Sequence, residues 1–531
     1  MSESETNLNA DIVVIGGTPG GIAAAITAAR LGRQVLMTEY HPMIGAMMTN
    51  GLGKSDIETR EAINGIFREF VNNVLMHYVE TYGADHKNVA LCQDGYYYEP
   101  SVAELILDRM VAAESNLEVW RNHRLDTVTV EAKKVTAVTL VDRSTGDRRA
   151  VQGDVFIDAT YEGDLAAVAG VPCRLGREGR RDFGELHAGV VYIDYESSEF
   201  LPGTTGQGDK RLQAYTYRLC LTTNPANSLK VTAPTGYDRS LYLGYLDDLR
   251  AGRMGPPRAM KEGMGYYAPT FNTVVRALSV AELPNQKFDI NINPRPLGFP
   301  FAEENYGYPE AEWPEREVIM ARIRDLTLGL LYFLQNDPEI PIEQRELARR
   351  FNLARDEFTG NDGFPSQLYV REARRIVGEY TLSQNDVMVE SVLGRTQVHG
   401  DSIASGEFPV DSFPVRKREP GQNIALEGYV LMLDKLTHPY QIPYGIIVPQ
   451  GVDGLLVPVA ASTTHVAFST IRLEPTWMAL GQAAGIFATP PVVAGSGPDI
   501  FQRPGTRASV FRRNAVFWMS GIFLGLFRAG G

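Results

Sequence analysis

Ile12-Val13-Val14-Ile15-Gly16-Gly17-Thr18-Pro19-Gly20-Gly21-Ile22-Ala23-Ala24-Ala25-Ile26 is the stretch whose reading decides the fold. A short apolar run meets a glycine cluster, and Ile22, Ala25, Ile26 and Ala29 then recur at helical spacing as far as Arg30. Strand, tight turn and helix in that order describe the first βα unit of a dinucleotide-binding fold. A second strand is expected over Gln34 to Thr38. Glu39 at its end lies 23 residues after Gly16, about where a carboxylate accepts hydrogen bonds from an adenosine ribose. Pyrophosphate is expected on the amides that open the helix, where the dipole is positive and glycines leave room. Thr18 stands where the usual glycine-x-glycine-x-x-glycine spacing has its middle glycine, and a plain βαβ turn without nucleotide is the rival reading.

At 531 residues the chain has room for two or more domains and a large core. Its 64 acidic against 51 basic residues leave a net charge of −13, which argues against nucleic acid or an anionic membrane surface as partner. The first ten residues have neither a basic start nor an apolar core, so a cytoplasmic protein is expected. Cys92, Cys173 and Cys220 are too scattered to pair or to form a zinc or iron–sulfur pattern, and no metal is expected.

Further along, the loop Tyr40 to Gly53 is too rich in glycine for a helix and too apolar, with Met43, Ile44, Met47, Met48 and Leu52, to be left in water. It extends along the ligand from adenosine toward its far end. Helices are expected over Arg60 to Val79, over Val102 to Ala113 with Ser101 as cap, over Arg316 to Leu334 and over Ile342 to Phe351. Leu117 to Val151, including Leu125 to Val130, reads as an antiparallel meander, and Val155 to Thr160 as a strand returning to the nucleotide. Ala188 to Tyr192 and Leu212 to Thr222 read as strands of a substrate region in which Tyr215, Tyr217 and Arg218 face a pocket. The arginines of Leu368 to Tyr380 are either a charged face or salt bridges, with Arg371 able to grip a carboxylate or the flavin edge. Gly454 to Val459 reads as a late strand, followed by a helix with Pro475 near its start. The apolar run Ala515 to Phe527 is too short to cross a bilayer and reads as a packing or interfacial helix, with a loosely ordered tail as the rival reading and packing preferred.

Four blocks together, Gly16 to Gly21, Tyr161-Glu162-Gly163-Asp164-Leu165, Tyr369 to Arg375 and Arg472 to Gly485, resemble a family of FAD-dependent oxidoreductases, some of whose members are labelled xanthan lyase-like. The resemblance covers roughly residues 10 to 486 and includes Thr18 in the glycine position. It implies an α/β architecture: a Rossmann-type, glutathione-reductase-like FAD domain of parallel sheet plus antiparallel β-meander, with an inserted α+β substrate domain. The expected division is 1–176 and 397–486 for the FAD domain, 177–396 for substrate and 487–531 for a tail. It also implies noncovalent FAD, held at Gly16, Thr18, Pro19, Gly20 and Gly21, then at Glu39 and Tyr40. Gly45, Ala46, Met47, Thr49, Asn50 and Gly51 would follow the ligand. Leu125, Ala159, Thr160, Asp164, Arg472, Glu474 and Thr476 would complete the site. Asp411-Ser412-Phe413 and Ile442-Pro443-Tyr444-Gly445 depart from the family, which often has histidine after Asp-Ser and arginine after Ile-Pro-Tyr.

No second glycine-rich strand-turn-helix is present to hold NAD(P)H, so the substrate is the expected hydride donor. The reaction expected is dehydrogenation or oxidation of a small organic metabolite, with hydride passing to flavin N5 and a base taking the proton. His465, between the late strand and the following helix, is the first candidate base, and a role in holding phosphates or capping the loop is its alternative. Tyr444 as proton relay and Arg371 as substrate anchor come next. A flavin monooxygenase, or a non-redox lyase, isomerase or binding protein with structural FAD, are the other readings.

Overall fold

Strand β1 (Leu8–Ile15) leads through the glycine turn into helix α1 (Pro19–Arg30), and β2 (Val35–Thr38) pairs with β1 in parallel, Val14 opposite Met37. The computed structural model describes residues 8–194, 199–251, 278–292, 301–392, 394–418, 426–430 and 437–489. Residues up to Ala488 form one compact unit. The expected helix Ala515 to Phe527 lies outside the described residues.

Helix α2 (Ile66–Tyr82) starts later than its periodicity suggests. Gly65 has φ +69°, and a side chain there would overlap Gln482, whose Oε1 accepts from the Ile66 amide at 2.9 Å. Arg60–Ala62 is therefore a separate 3-10 turn. Helix α3 (Pro100–Ala112) has Glu99 as N-cap and Pro100 in its first turn; Ser101, the cap expected, lies inside the helix and donates to Glu357 at 2.8 Å.

Strand β3 (Leu117–Trp120) pairs in parallel with β2 and is not part of the meander. The meander is β4 (His123–Glu131), β5 (Lys134–Asp142) and the first half of β6 (Arg148–Asp158). One 11-residue strand thus serves two sheets' worth of pairing. Its early residues pair antiparallel with β5, its later ones run parallel to β1, and Phe156–Ile157 pair with Leu455–Leu456. The resulting order is β3-β2-β1-β6-β5-β4, with the late strand on the far side of β6. The parallel strands are apolar on both faces, as sheets covered on both sides require: Val13 and Val14 are both fully buried.

A second, antiparallel sheet draws its strands from the region read as the substrate part. β7 (Leu219–Thr222) and β8 (Ser228–Leu229) are joined by β9 (Leu278–Leu283), β10 (Lys287–Ile292) and β11 (Asn352–Ala354) in the order β9-β10-β7-β11-β8. Ala188 to Tyr192, expected as a strand, is not one. Helix α4 (Trp313–Asn336) lies between β10 and β11 in the chain. Near the end of the unit, α5 (His465–Ile471) follows the late strand and α6 (Glu474–Phe487) has Pro475 in its first turn.

Helices α1 and α6 touch backbone to backbone. A Cβ on Gly481 would overlap the Gly20 carbonyl, and one on Gly485 would lie 2.5 Å from the Ala24 carbonyl oxygen. The two glycines let helices from opposite ends of the unit approach as no larger residue would. Among the described residues no helix is long and apolar enough to cross a membrane.

Candidate functional site

The glycine turn is held by its own protein. Gly16 (φ +101°) lies against Ala159, whose carbonyl carbon would be 2.7 Å from an added Cβ. Gly21 is pressed on the Gly16 carbonyl, and Gly20 on Val459 and the Trp477 carbonyl. Thr18 is the N-cap of α1: its Oγ1 accepts from the Gly21 amide at 3.2 Å and donates to the Ala159 carbonyl at 2.7 Å. The departure from the glycine pattern is thus a cap that also ties α1 to the end of β6. Pro19 has no amide to satisfy, and the Gly20 amide has no carbonyl four residues back within the helix, so this end can receive an anion.

Glu39 is buried, its Oε2 accepting from the Gly17 amide (2.7 Å) and its Oε1 from the His41 amide (2.9 Å). Burial pushes its carboxyl up to about 7. Tyr40 stacks on Trp313 at 3.3 Å between centroids, with the Arg143 guanidinium 3.7 Å over the same ring. Gly45 has φ +95° and Ala46–Thr49 form a buried 3-10 turn, a short helical piece in a loop expected to have none. Asn50 Oδ1 accepts from the Ser366 and Gln367 amides, and Gly51 is pressed on the Arg218 carbonyl. Leu125 packs half-buried in the meander. Thr160 bonds the Asp158 carboxylate (2.7 Å), while Asp164 is occupied by Arg316 (2.6 Å) and Arg374 (2.9 Å).

Beyond this turn a cluster of buried side chains, called the chamber below, has polar atoms left over. Tyr161 and Trp477 rings sit 4.9 Å apart, and the Tyr369 hydroxyl accepts from Arg472 at 2.8 Å. The Glu474 oxygens, Trp477 Nε1, Arg472 Nε and Arg371 Nε find no hydrogen-bond partner among the described residues. Burial pushes the Glu474 carboxyl up to about 7. Unsatisfied buried polar groups are costly, and such a cluster fits a ligand that supplies both ring surface and polar edges. Thr476 is buried beside them.

His465 opens α5, with Thr464 as N-cap. Its Nδ1 lies 2.7 Å from Glu372 Oε2, and its amide donates to Glu178 at 2.8 Å. Burial pushes Glu372 up, but His465 and Arg375 outweigh it and hold the carboxylate below its ordinary range. Gln213 links this pair to the rest: its Nε2 donates to Glu372 (3.0 Å) and its Oε1 accepts from the Phe413 amide (3.1 Å). The Phe413 ring lies 3.4 Å under Arg371. The structure thus connects His465 and Arg371 through Glu372, Gln213 and Phe413.

Tyr444 does not join them. Its ring packs 4.5 Å from that of Phe487, at the C-terminal end of α6, about 20 Å of helix from Glu474. Tyr215, Tyr217 and Arg218 are turned to internal duties: Tyr215 donates to the Glu372 carbonyl, Tyr217 to the Met320 carbonyl, and Arg218 is clamped by Asp56 and Asp289. The sequence does not single out Glu372, Glu178 and Gln213, and it marks Phe413 only as a departure from the family's histidine. The one signal for Glu372 was its place between Arg371 and Arg375, in a run whose burial the sequence leaves open.

A curated relative, the digeranylgeranylglycerophospholipid reductase of Thermoplasma acidophilum, is 32% identical over 117 residues, 21% of this chain and 29% of the relative. The chain therefore spans less than a third of that relative's length. Among solved structures, the FrdA chain of E. coli quinol fumarate reductase is 14% identical, with 93% of this chain and 72% of that one covered at a TM-score of 0.34. A geranylgeranyl bacteriochlorophyll reductase-like protein of Thermoplasma acidophilum is 22% identical over 31% of this chain and 42% of its own, at 0.22. The match that spans the turn, the chamber and the late helices alike is that of the family described as FAD dependent oxidoreductase, over residues 11–499, and this chain belongs to that family, with FAD as its cofactor.

Proposed function

We propose that the protein is a dehydrogenase or oxidase of a small organic metabolite, with His465 accepting the proton that leaves as the substrate is oxidised. The contact of His465 Nδ1 with Glu372 at 2.7 Å carries this reading. An ionised Glu372 can only accept, so it holds the ring proton on Nδ1 and leaves the Nε2 lone pair as the accepting site. Glu372 is in turn fixed by Gln213 and by Arg375 at 3.1 Å, which keeps the ring from turning.

FAD fits the residues described: the turn Gly16 to Gly21, Glu39, the loop Gly45 to Gly51, Ala159 to Asp164 and the start of α6 would hold it, and when bound it supplies the hydride acceptor at flavin N5. Glu474 and Trp477, buried without partners, support its ring end lying in the chamber. Asp164 and Tyr40, engaged by Arg316, Arg374 and Trp313, would act through those partners. The scattered cysteines support a reducing, cytoplasmic setting.

The test is anaerobic photometry with candidate substrates. His465→Ala is expected to slow flavin bleaching by substrate about 10²- to 10⁴-fold with FAD retained; an unchanged rate removes His465 from the mechanism. Bleaching by NAD(P)H, with oxygen entering product, would make the protein a monooxygenase, and FAD that no substrate bleaches would make its role non-redox.

A further inference from the structure

Three arginines within five residues meet three different fates. Arg374 donates to Asp164 at 2.9 Å, and Arg375 is ion-paired with Glu178 and Glu372, each at 3.1 Å. Arg371 is 0% exposed and forms no ion pair among the described residues, Asp411 acting on it only as a more distant charge. Its Nη1 donates to the Ala214 carbonyl (3.0 Å), its Nη2 to Thr216 Oγ1 (2.9 Å) and Asn291 Oδ1 (3.3 Å), and its Nε to no acceptor among the described residues. The rings of Phe413 (3.4 Å) and Tyr369 (4.2 Å) cover the guanidinium. Every one of these partners is neutral. Burial pushes the group down to about 9, so it still carries its charge at neutral pH.

The neighbouring cations are better served. Arg218 lies 2.8 Å from both Asp56 and Asp289, and Arg472 is 3.9 Å from Asp411. A buried charge without a counterion is strongly unfavourable, so Arg371 is best understood as one half of a pair whose other half arrives with a ligand. A guanidinium has five N–H donors, and three are used here, which leaves two including Nε. The free Nε–H offers a donor to one carboxylate oxygen, and the long 3.3 Å contact of Nη2 with Asn291 is the one a second oxygen would replace to complete the fork. The residues that hold Arg371 are Ala214, Thr216, Asn291, Tyr369 and Phe413, and none belongs to the glycine turn, the Gly45 to Gly51 loop or the Ala159 to Asp164 turn. The anion is thus expected from the substrate side.

We propose that the substrate is a carboxylic acid whose carboxylate is gripped by Arg371. This rests on the oxidoreductase reading of the chamber above, but its test does not need turnover. The FAD-loaded protein is titrated with benzoate and acetate, with benzamide and acetamide as neutral matches and inorganic phosphate as a second oxyanion. Flavin absorbance and melting temperature are read. Carboxylates, and neither amides nor phosphate, are expected to perturb the flavin band and raise the melting temperature. Arg371→Met is expected to weaken that binding by roughly a hundredfold or more, with Arg371→Lys in between. Because it removes an unpaired buried charge, Arg371→Met is also expected to melt no lower than the parent when free of ligand, an outcome a purely structural arginine would not give. Carboxylate binding that survives in Arg371→Met overturns the proposal, as does phosphate binding equal to benzoate. A variant whose flavin reduction potential falls while carboxylate binding is unchanged also overturns it, making the reduced flavin the partner. If carboxylates bind as expected but no acid ever bleaches the flavin, the oxidoreductase reading fails and the anion site stands.

Discussion

The glycine turn and the chamber behind it are built on opposite terms. In the turn every close approach is answered within the protein: Gly16 by Ala159, Gly20 by Trp477, the Thr18 hydroxyl by Gly21 and Ala159, Glu39 by two amides. In the chamber a carboxyl, an indole N–H and two guanidinium N–H groups have no hydrogen-bond partner among the described residues. The turn is a scaffold whose close contacts are met within the protein, leaving only helix-end amides for a ligand. The chamber stores an energetic deficit that a ligand would relieve, and such deficits belong at sites of function.

That contrast can be broken by substitution. The largest effect is expected where backbone meets backbone: Gly481→Ala would drive a methyl group into the Gly20 carbonyl and push α6 off α1. It is expected to cost about 3 kcal/mol or more in urea unfolding, and FAD content should fall with it. A stability within 1 kcal/mol of the parent, roughly, would mean the helices can part freely, and the scaffold would not be rigid.

Glu474 probes the other side. Its carboxyl sits at about 7 in the folded chain against an ordinary 4.5, so the folded state binds more protons than the unfolded between those values. Stability from this group is therefore full below pH 4.5 and lost as pH rises through 7. Glu474→Gln, which cannot ionise, is expected to match the parent near pH 4.5 and exceed it by about 3 kcal/mol at pH 8 in FAD-free protein. A constant difference across that range would show the carboxyl to be paired after all.

The smallest effect sharpens the comparison at the turn. Thr18→Gly restores the usual spacing, yet it removes the cap and the bond to Ala159, and should lower stability by a few tenths to about 1 kcal/mol in the same urea titration. A gain in stability would show that Thr18 is tolerated rather than used.

Where the sequence spoke clearly, it was through periodicity and spacing. The β1 run, the α1 stripe, Glu39 and Pro475 at the start of α6 each follow from local rules, and the structure places them as expected. Errors fell where a distant residue decides. Gly65 breaks a plausible helix because Gln482 caps the next residue, and Glu99 displaces Ser101 as cap because Ser101 turns to Glu357. Leu117–Trp120 joins the parallel sheet because β2 offers it an edge, which no local pattern announces. The difference between Arg371 and Arg375, four residues apart, depends on Glu178 and on Ala214 and Thr216, which precede β7 in a stretch expected as strand but lying outside one, all remote in the chain. Tyr444, chosen for its place in a motif, is drawn to Phe487 by packing.

The contact between Gly20 and Gly481 also bears on how the protein is made. The cradle for the nucleotide begins within the first twenty-odd residues, but the helix that buttresses it is among the last parts of the compact unit to be synthesised. At roughly 5–20 residues per second, the interval between the two is on the order of half a minute to a minute and a half on the ribosome. During that interval the face that α1 turns to α6, buried in the finished unit, is uncovered. Nascent chains arrested before α6 emerges should accordingly bind no FAD, and those released just after it should.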